Sequence, residues 1–459
     1  MGGLVDQRPA RRLACTMLNP LSIAEAAAQI SAGELTPPEL IDRCLAQIRR
    51  HEDRVHAWVV VDEAGARQAA AELARQKSRG PLHGIPLGIK DIIDVAGLPT
   101  RAGSPLRAHH TARADSPLVA ALRRAGAIIL GKTVTVEFAC FDPPPTKNPW
   151  DPALRHTPGG SSSGSAVAVA LGMCPGAIGT QTGGSLVRPA SYCGVAACKP
   201  TFGRVDRAGI VPVSYHLDHP GPIARRVADL QIMLCCLLDA PSREESGRPD
   251  ESEISAPPRL RIVEQFFLEQ ADASIRKAFE AAVDAVRCGG ADVKVLEFPA
   301  DFAQIASMHR RIMAVEAAAY HRASFASHRE SYGPKIAELL DEGLSIAAVD
   351  YADALAAQRE FRRCVEQFIQ ADRCDALILP ATDTAAPASL DTTGSSKFQS
   401  PWSFAGAPVV SIPCGLVSDG LPAAVQLVGR SCGDLDLLAV ARWCERQFGF
   451  DSRPPAPLA

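Results

Sequence analysis

The chain has 459 residues, 47% of them hydrophobic and 22% charged, with a formal net charge of -3, the balance of a globular protein with a large core. Near-neutrality gives no electrostatic reason to expect nucleic acid or an anionic membrane surface as a partner. No apolar run approaches the ~18 residues that would suggest a membrane span. Met1 to Met17 contains three arginines and no apolar stretch, so it does not read as a secretory signal. The 14 cysteines are scattered, several of them in apolar runs such as Cys235-Cys236, and none forms a Cys-x-x-Cys pair. That pattern is expected of reduced, buried thiols in a cytoplasmic protein.

In chain order, Ser22-Ile23-Ala24-Glu25 and Thr36-Pro37-Pro38-Glu39 read as capping boxes that open two helices, the second with proline in its first turn. An Ala-rich third helix follows at about Asp62 to Lys77, so residues 1–80 are expected to form a helical layer without strands. Pro81 to Asp91 changes character, with a turn and then an apolar strand ending in Lys90. From there strand and helix patterns alternate, with a helix at Leu118 to Ala125 and a strand at Ala127 to Leu130. This argues for a mixed α/β layer structure. Ala240 to Pro258 is polar and Pro-bearing, the best linker candidate in the chain. Beyond it come a strand (Leu260 to Val263), a helix from about Ala273, a strand (Val293 to Glu297) and a helical stretch from about Ala303 to Gln370. Strand-like runs return at Ala376 to Leu379, Val409 to Ile412 and Ala424 to Val428. Because strand signals resume, the linker is expected to bound an excursion within one domain, with a signature core at about 81–239, a helical, substrate-shaping insertion at about 259–375 and a return to the core at 376–459.

The most informative stretch is Thr157 to Thr201. It holds two Gly-Ser clusters, Gly159 to Ser165 and Gly179 to Ser185, separated by the small, apolar Ala166 to Gly172. Glycines let backbone N–H groups converge on one point, and serines supply hydroxyls there. A flexible linker would not be interrupted by an apolar helix. Two tempting motifs lack their context. Gly126 to Thr133 matches G-x-x-x-x-G-K-T, but Ala-Ile-Ile-Leu in its middle reads as a buried strand rather than a phosphate-cradling loop. Gly160 to Gly164 matches G-x-S-x-G, but the last histidine is His328, and nothing later in the chain can complete an acid–histidine pair. A third arrangement needs no histidine. A desolvated lysine such as Lys90 can act as a base if its pKa falls from ~10.4 toward neutrality. A serine can relay a proton to it, and the N–H groups of a Gly-Gly-Ser turn can bind an oxyanion. Spacing alone leaves this open against a surface lysine and two turn serines.

Segment Gly159 to Thr201 resembles the signature of the amidase signature family. Other landmarks of that family are similar: Gly84 to Asp91 (GIPLGIKD), Ala125 to Thr133 (AGAIILGKT), Glu137 to Ala139 (EFA), Lys147 to Pro152 (KNPWDP), Leu217 to Leu230 (LDHPGPIARRVADL) and Gly420 to Gly429 (GLPAAVQLVG). The resemblance runs from about residue 20 to 445. It implies an α/β/α fold with a mixed, twisted central sheet flanked by helices, and a catalytic triad of Lys90, Ser161 and Ser185, with a cis peptide at Ser161. The implied oxyanion hole is formed by Thr182, Gly183, Gly184 and Ser185. Two departures stand out: Gln181 where most members have Asp, and Val187 where most have Arg, the arginine coming one residue later as Arg188. That form is similar to a malonamidase-like branch in which the arginine can hold a substrate carboxylate. Gln181, Gly160 and Arg188 are therefore candidate substrate contacts, although a structural ion pair is the favoured reading of Arg188. The implied activity is hydrolysis of amide C–N bonds through an acyl-enzyme, with aryl amides and carbamates (urethanes) among the expected substrates and no metal or cofactor. The alternative is a glutaminase-type subunit of an amidotransferase complex. Expected partners are a small-molecule amide or carbamate and a second copy in a homodimer, with no nucleic acid and no membrane. The residues shaping the substrate site are sought in the helices from Phe302 to Gln370, the Ala108 to Ser116 loop and the Cys140 to Pro145 segment.

Overall fold

A computed structural model describes residues 20–238, 254, 256–451 and 453–455; most of the linker candidate at Ala240 to Pro258 lies outside the described residues. Eleven strands form a single sheet: β1 (Trp58–Val61), β2 (Pro86–Lys90), β3 (Ile128–Thr133), β4 (Gly176–Gln181), β5 (Ala196–Lys199), β6 (His219–Ala224), β7 (Arg259–Ile262), β8 (Asp292–Val295), β9 (Ala376–Pro380), β10 (Val409–Leu416) and β11 (Pro422–Val428). Their spatial order is β1-β3-β2-β4-β6-β5-β10-β11-β9-β7-β8. Parallel pairs (β2 with β3 and β4, β7 with β8 and β9) mix with antiparallel ones (β10 with β5 and β11, β4 with β6). This is the mixed, helix-flanked α/β sheet expected from the sequence, with strands from both sides of the linker candidate in one ladder.

Both N-terminal capping boxes form. The side chains of Ser22 and Thr36 accept from the backbone N–H of Glu25 and Glu39, and each glutamate returns a bond to its cap residue, worth about 1 kcal/mol per cap. The strand-free N-terminal layer does not hold. Trp58–Val61 leaves the second helix and pairs antiparallel with β3 at the sheet edge. Four residues between two long helices give too short a run for alternation to reveal. The third helix is also shorter than expected, ending at Leu73.

The second Gly-Ser cluster begins in β4, and the first leads into the helix that packs on that strand. The helix Ser163–Ala170 is buried on every side, and at Gly164 it meets the residues flanking β1 and β3: a Cβ there would lie 2.2 Å from the Ala57 carbonyl oxygen and 2.4 Å from the Val134 nitrogen. Small residues are required because backbone meets backbone. The second half of the chain is held differently, by a cluster of aromatic rings that includes Phe266, Phe267, Phe298, Phe302, Phe361, Phe398 and Trp402, with such pairs worth about 0.5–1.5 kcal/mol beyond their buried area. Among the described residues no disulfide joins the cysteines, and no helix is long and apolar enough to cross a membrane.

Candidate active site

Lys90 ends β2 with its side chain fully buried. Its Nζ lies 2.7 Å from Ser161 Oγ and 2.8 Å from Thr180 Oγ1. Removal from water lowers its pKa from 10.5 to about 7; the charge of Asp218 opposes that fall and Arg188 adds to it. At neutral pH much of Lys90 is therefore a free amine, able to take a proton. Ser161 follows a cis peptide bond, Gly160-Ser161.

Ser161 and Ser185 open on one cavity of about 240 Å³, which Thr182, Gly183, Gly184 and Arg188 also line. The first cluster thus brings Ser161 to Lys90, and the end of β4 with the turn after it brings Ser185 to the same space. Around that turn the carbonyls are engaged: Thr182 O by His309 Nε2, Gly183 O by Ser403 Oγ, Gly184 O by the Arg188 amide and Ser185 O by the Ser162 amide. Among the described residues, the N–H groups of Gly183, Gly184 and Ser185 have no protein acceptor. Close packing explains one of the glycines, since a Cβ on Gly184 would lie 2.4 Å from Gln399 Oε1.

Gln181 and Gly160 lie behind this cavity instead of lining it. Gln181 is fully buried; its Oε1 accepts from the amides of Leu186 and Val187, and its Nε2 donates to Ser403. The amide caps the short helix Val187–Tyr192 and braces the turn, which an amide can do from both ends. Arg188 departs from the expected ion pair. It faces no carboxylate at ion-pair distance among the described residues, and its donors go to neutral oxygens: Nε and Nη2 to Gly160 O, Nη2 also to Thr393 Oγ1, and Nη1 to Gly394 O. Burial lowers its pKa to about 10, which leaves it charged at neutral pH.

The cavity walls match expectation in part. Cys140 and Phe141 line it, as do Ala306, His309, Arg310 and Met313 of the helix Phe302–His328. The Ala108 to Ser116 loop contributes nothing to it, and Phe302 is spent in the aromatic cluster. A wall that sequence reasoning missed comes from Thr393, Ser395, Ser396, Lys397 and Ser400. Arg310 and Lys397 stand at its exposed rim, each paired with a carboxylate, Glu342 and Asp383. Asp218 was also missed, although it lies in the Leu217 to Leu230 landmark. It accepts from Thr182 Oγ1 at 2.6 Å and from the amides of Val213 and Ser214. His309 carries no local signal that could have found it.

A family model described as Amidase matches residues 39–438. This chain belongs to the amidase family. An amidase of Pseudomonas putida is 35% identical to it over 95% of this chain and 98% of its own length. A glutamyl-tRNA(Gln) amidotransferase component of Roseiflexus castenholzii is 32% identical over 96% of this chain and 98% of its own. Among solved structures, the native peptide amidase from Stenotrophomonas maltophilia superposes with a TM-score of 0.82 at 30% identity, covering 95% of this chain and 98% of that one. The amidase is an amide-hydrolysing enzyme of the amidase signature fold.

Proposed function

We propose that this amidase cleaves the C–N bond of small amides with Ser185 as nucleophile, Ser161 as relay and Lys90 as base. The observation that carries the reading is Lys90: buried, within 2.7 Å of Ser161, bonded among the described residues only to hydroxyl groups, and brought to about 7 chiefly by loss of water. Neutral Lys90 takes the Ser161 proton while Ser161 takes that of Ser185, and Ser185 Oγ attacks the substrate carbonyl carbon. The resulting oxyanion is held by the N–H groups of Thr182 to Ser185. On collapse, Ser161 protonates the departing amine and is itself reprotonated by Lys90. Water, deprotonated along the same relay, then releases the acid and regenerates Ser185.

A carbamate presents the same carbonyl chemistry. The cavity of about 240 Å³ is smaller than the ~300–1,000 Å³ of common ligand pockets and supports small neutral acyl groups, such as those of simple anilides and urethanes, over bulky ones. Arg188 supports the same choice, because a substrate carboxylate would have to compete with the carbonyls it already serves.

Ser185→Ala is the test. Turnover should fall by at least ~10³-fold with the melting temperature preserved, and a fluorophosphonate should label Ser185 in the native protein. Activity retained within about tenfold, ~1.4 kcal/mol of barrier, would assign the nucleophile elsewhere.

A second reading is favoured by the 32% identity to an amidotransferase component over 96% of this chain: a glutaminase-type subunit that works with partner chains. Assaying the purified chain alone on aryl amides and on glutamine separates the two. Hydrolysis of anilides without partners supports the free-standing amidase; activity on glutamine alone, and only with added partners, supports the amidotransferase reading.

A further inference from the structure

Three consecutive peptide units make the turn before Ser185. Each is planar and trans, so its carbonyl oxygen and the following N–H point in opposite directions, and holding one end aims the other. The carbonyls of Thr182, Gly183 and Gly184 are held at 2.9, 2.7 and 2.9 Å by His309 Nε2, Ser403 Oγ and the Arg188 amide. Their opposite ends are the N–H groups of Gly183, Gly184 and Ser185. One of these anchors, the Arg188 amide, is local to the turn. Arg188 lies in the first turn of the helix that follows it, and Ser403, 220 positions away in sequence, is braced by Gln181. His309 comes from the helix Phe302–His328, 127 positions away in sequence, and holds the first of the three carbonyls.

We propose that His309 is a positioning residue for the oxyanion hole, its Nε2–H holding the Thr182 carbonyl so that the Gly183 N–H faces the nucleophile's cavity. This rests on the reading of Ser185 as nucleophile. A carbonyl can only accept, so Nε2 must carry the proton. Burial lowers the His309 pKa to about 4, with the Thr182 bond opposing, so the ring serves as a neutral donor across the working range. The need for such an anchor follows from the neighbouring sequence. Gly183 and Gly184 tolerate φ of either sign, so the Thr182–Gly183 peptide has little intrinsic reason to keep its N–H inward. Turned over, it would present a carbonyl oxygen to a developing oxyanion. The bond from Thr182 Oγ1 to Asp218 fixes the side chain and leaves the peptide plane to His309. The ring packs against the turn as well: a Cβ on Gly183 would lie 3.5 Å from His309 Cε1.

The experiment compares His309→Leu, which removes the donor, with His309→Gln, whose amide can offer an N–H. On a neutral anilide, His309→Leu should lose about 10²-fold in kcat with KM within about threefold, the signature of an interaction made mainly in the transition state. Affinity for a boronic acid, which forms a tetrahedral adduct on the nucleophile, should fall in parallel while the melting temperature stays near that of the native protein. His309→Gln should recover at least about tenfold of the lost kcat. Turnover by His309→Leu within about threefold of native overturns the proposal. So does an equal loss in both variants with a lowered melting temperature, which would make the residue structural. Fluorophosphonate labelling keeps the two readings apart. If native Ser185 is not labelled, the nucleophile assignment fails; if it is labelled and His309→Leu is fully active, only this proposal fails.

Discussion

Lys90 and Lys132 occupy adjacent strands, and both are fully buried, yet their surroundings give them different chemistry. In the parallel register of β2 and β3, Lys90 sits opposite Thr133 and Ile89 opposite Lys132. Side chains alternate along a strand, so the two amines leave the sheet on opposite faces. On one face Lys132 meets Asp91 at 3.0 Å, the Pro99 carbonyl at 2.7 Å and Thr100 Oγ1 at 3.2 Å, three acceptors for the three protons of an ammonium. Burial lowers its pKa, but the Asp91 charge and hydrogen bond oppose that. On the other face Lys90 meets two hydroxyls and, among the described residues, no carboxylate within bonding distance, and there desolvation brings it to about 7. The difference teaches that burial alone does not set a lysine's charge: a bonded carboxylate opposes the fall in pKa that burial causes.

This contrast can be broken in four ways. The largest effect should come from Lys90→Met, which should lower kcat/KM by ~10³-fold or more while leaving the melting temperature unchanged or raised, because a partly neutral buried amine is replaced by an apolar chain of similar length. A melting temperature that collapses with activity would make Lys90 structural. Lys132→Met should do the reverse, costing about 3–5 kcal/mol of stability by leaving Asp91 unpaired, with the activity of the surviving folded protein close to native. Denaturant unfolding with active-site titration reads both quantities.

The third expectation concerns pH. Only the neutral amine accepts a proton, so kcat/KM should rise about tenfold per pH unit on the acid side and level off above the Lys90 pKa, which lies at about 7. The midpoint should be unmoved in His156→Ala and His216→Ala; its disappearance in either variant would return the chemistry to histidine.

The smallest effect should come from Arg188→Ala. Removing two donors from the Gly160 carbonyl and one from that of Gly394 should lower kcat about tenfold on neutral and anionic substrates alike, with a modest fall in melting temperature. A native preference for a dicarboxylic monoamide that vanishes in this variant would reassign Arg188 to a substrate carboxylate.

Local pattern made much of this molecule legible. The capping boxes at Ser22 and Thr36, the strand ending at Lys90 and the strand inside the Gly126 to Thr133 match each follow from a few neighbouring residues, because caps and β-alternation are short-range properties. The two Gly-Ser clusters were visible for the same reason, as were Lys90, Ser161 and Ser185 as candidates. Edge strand β1 was not, since four residues between helices carry no periodicity of their own. What only the tertiary structure decided is what these groups face. The parallel register turned Lys132 toward Asp91 and Lys90 toward hydroxyls. Folding brought Thr393 to Ser400 and His309 against a turn more than a hundred positions away, and gave Arg188 carbonyls in place of the expected carboxylate. Charge state and hydrogen-bond direction depend on neighbours in space, and those neighbours are set by how the sheet and its helices pack rather than by distance along the chain.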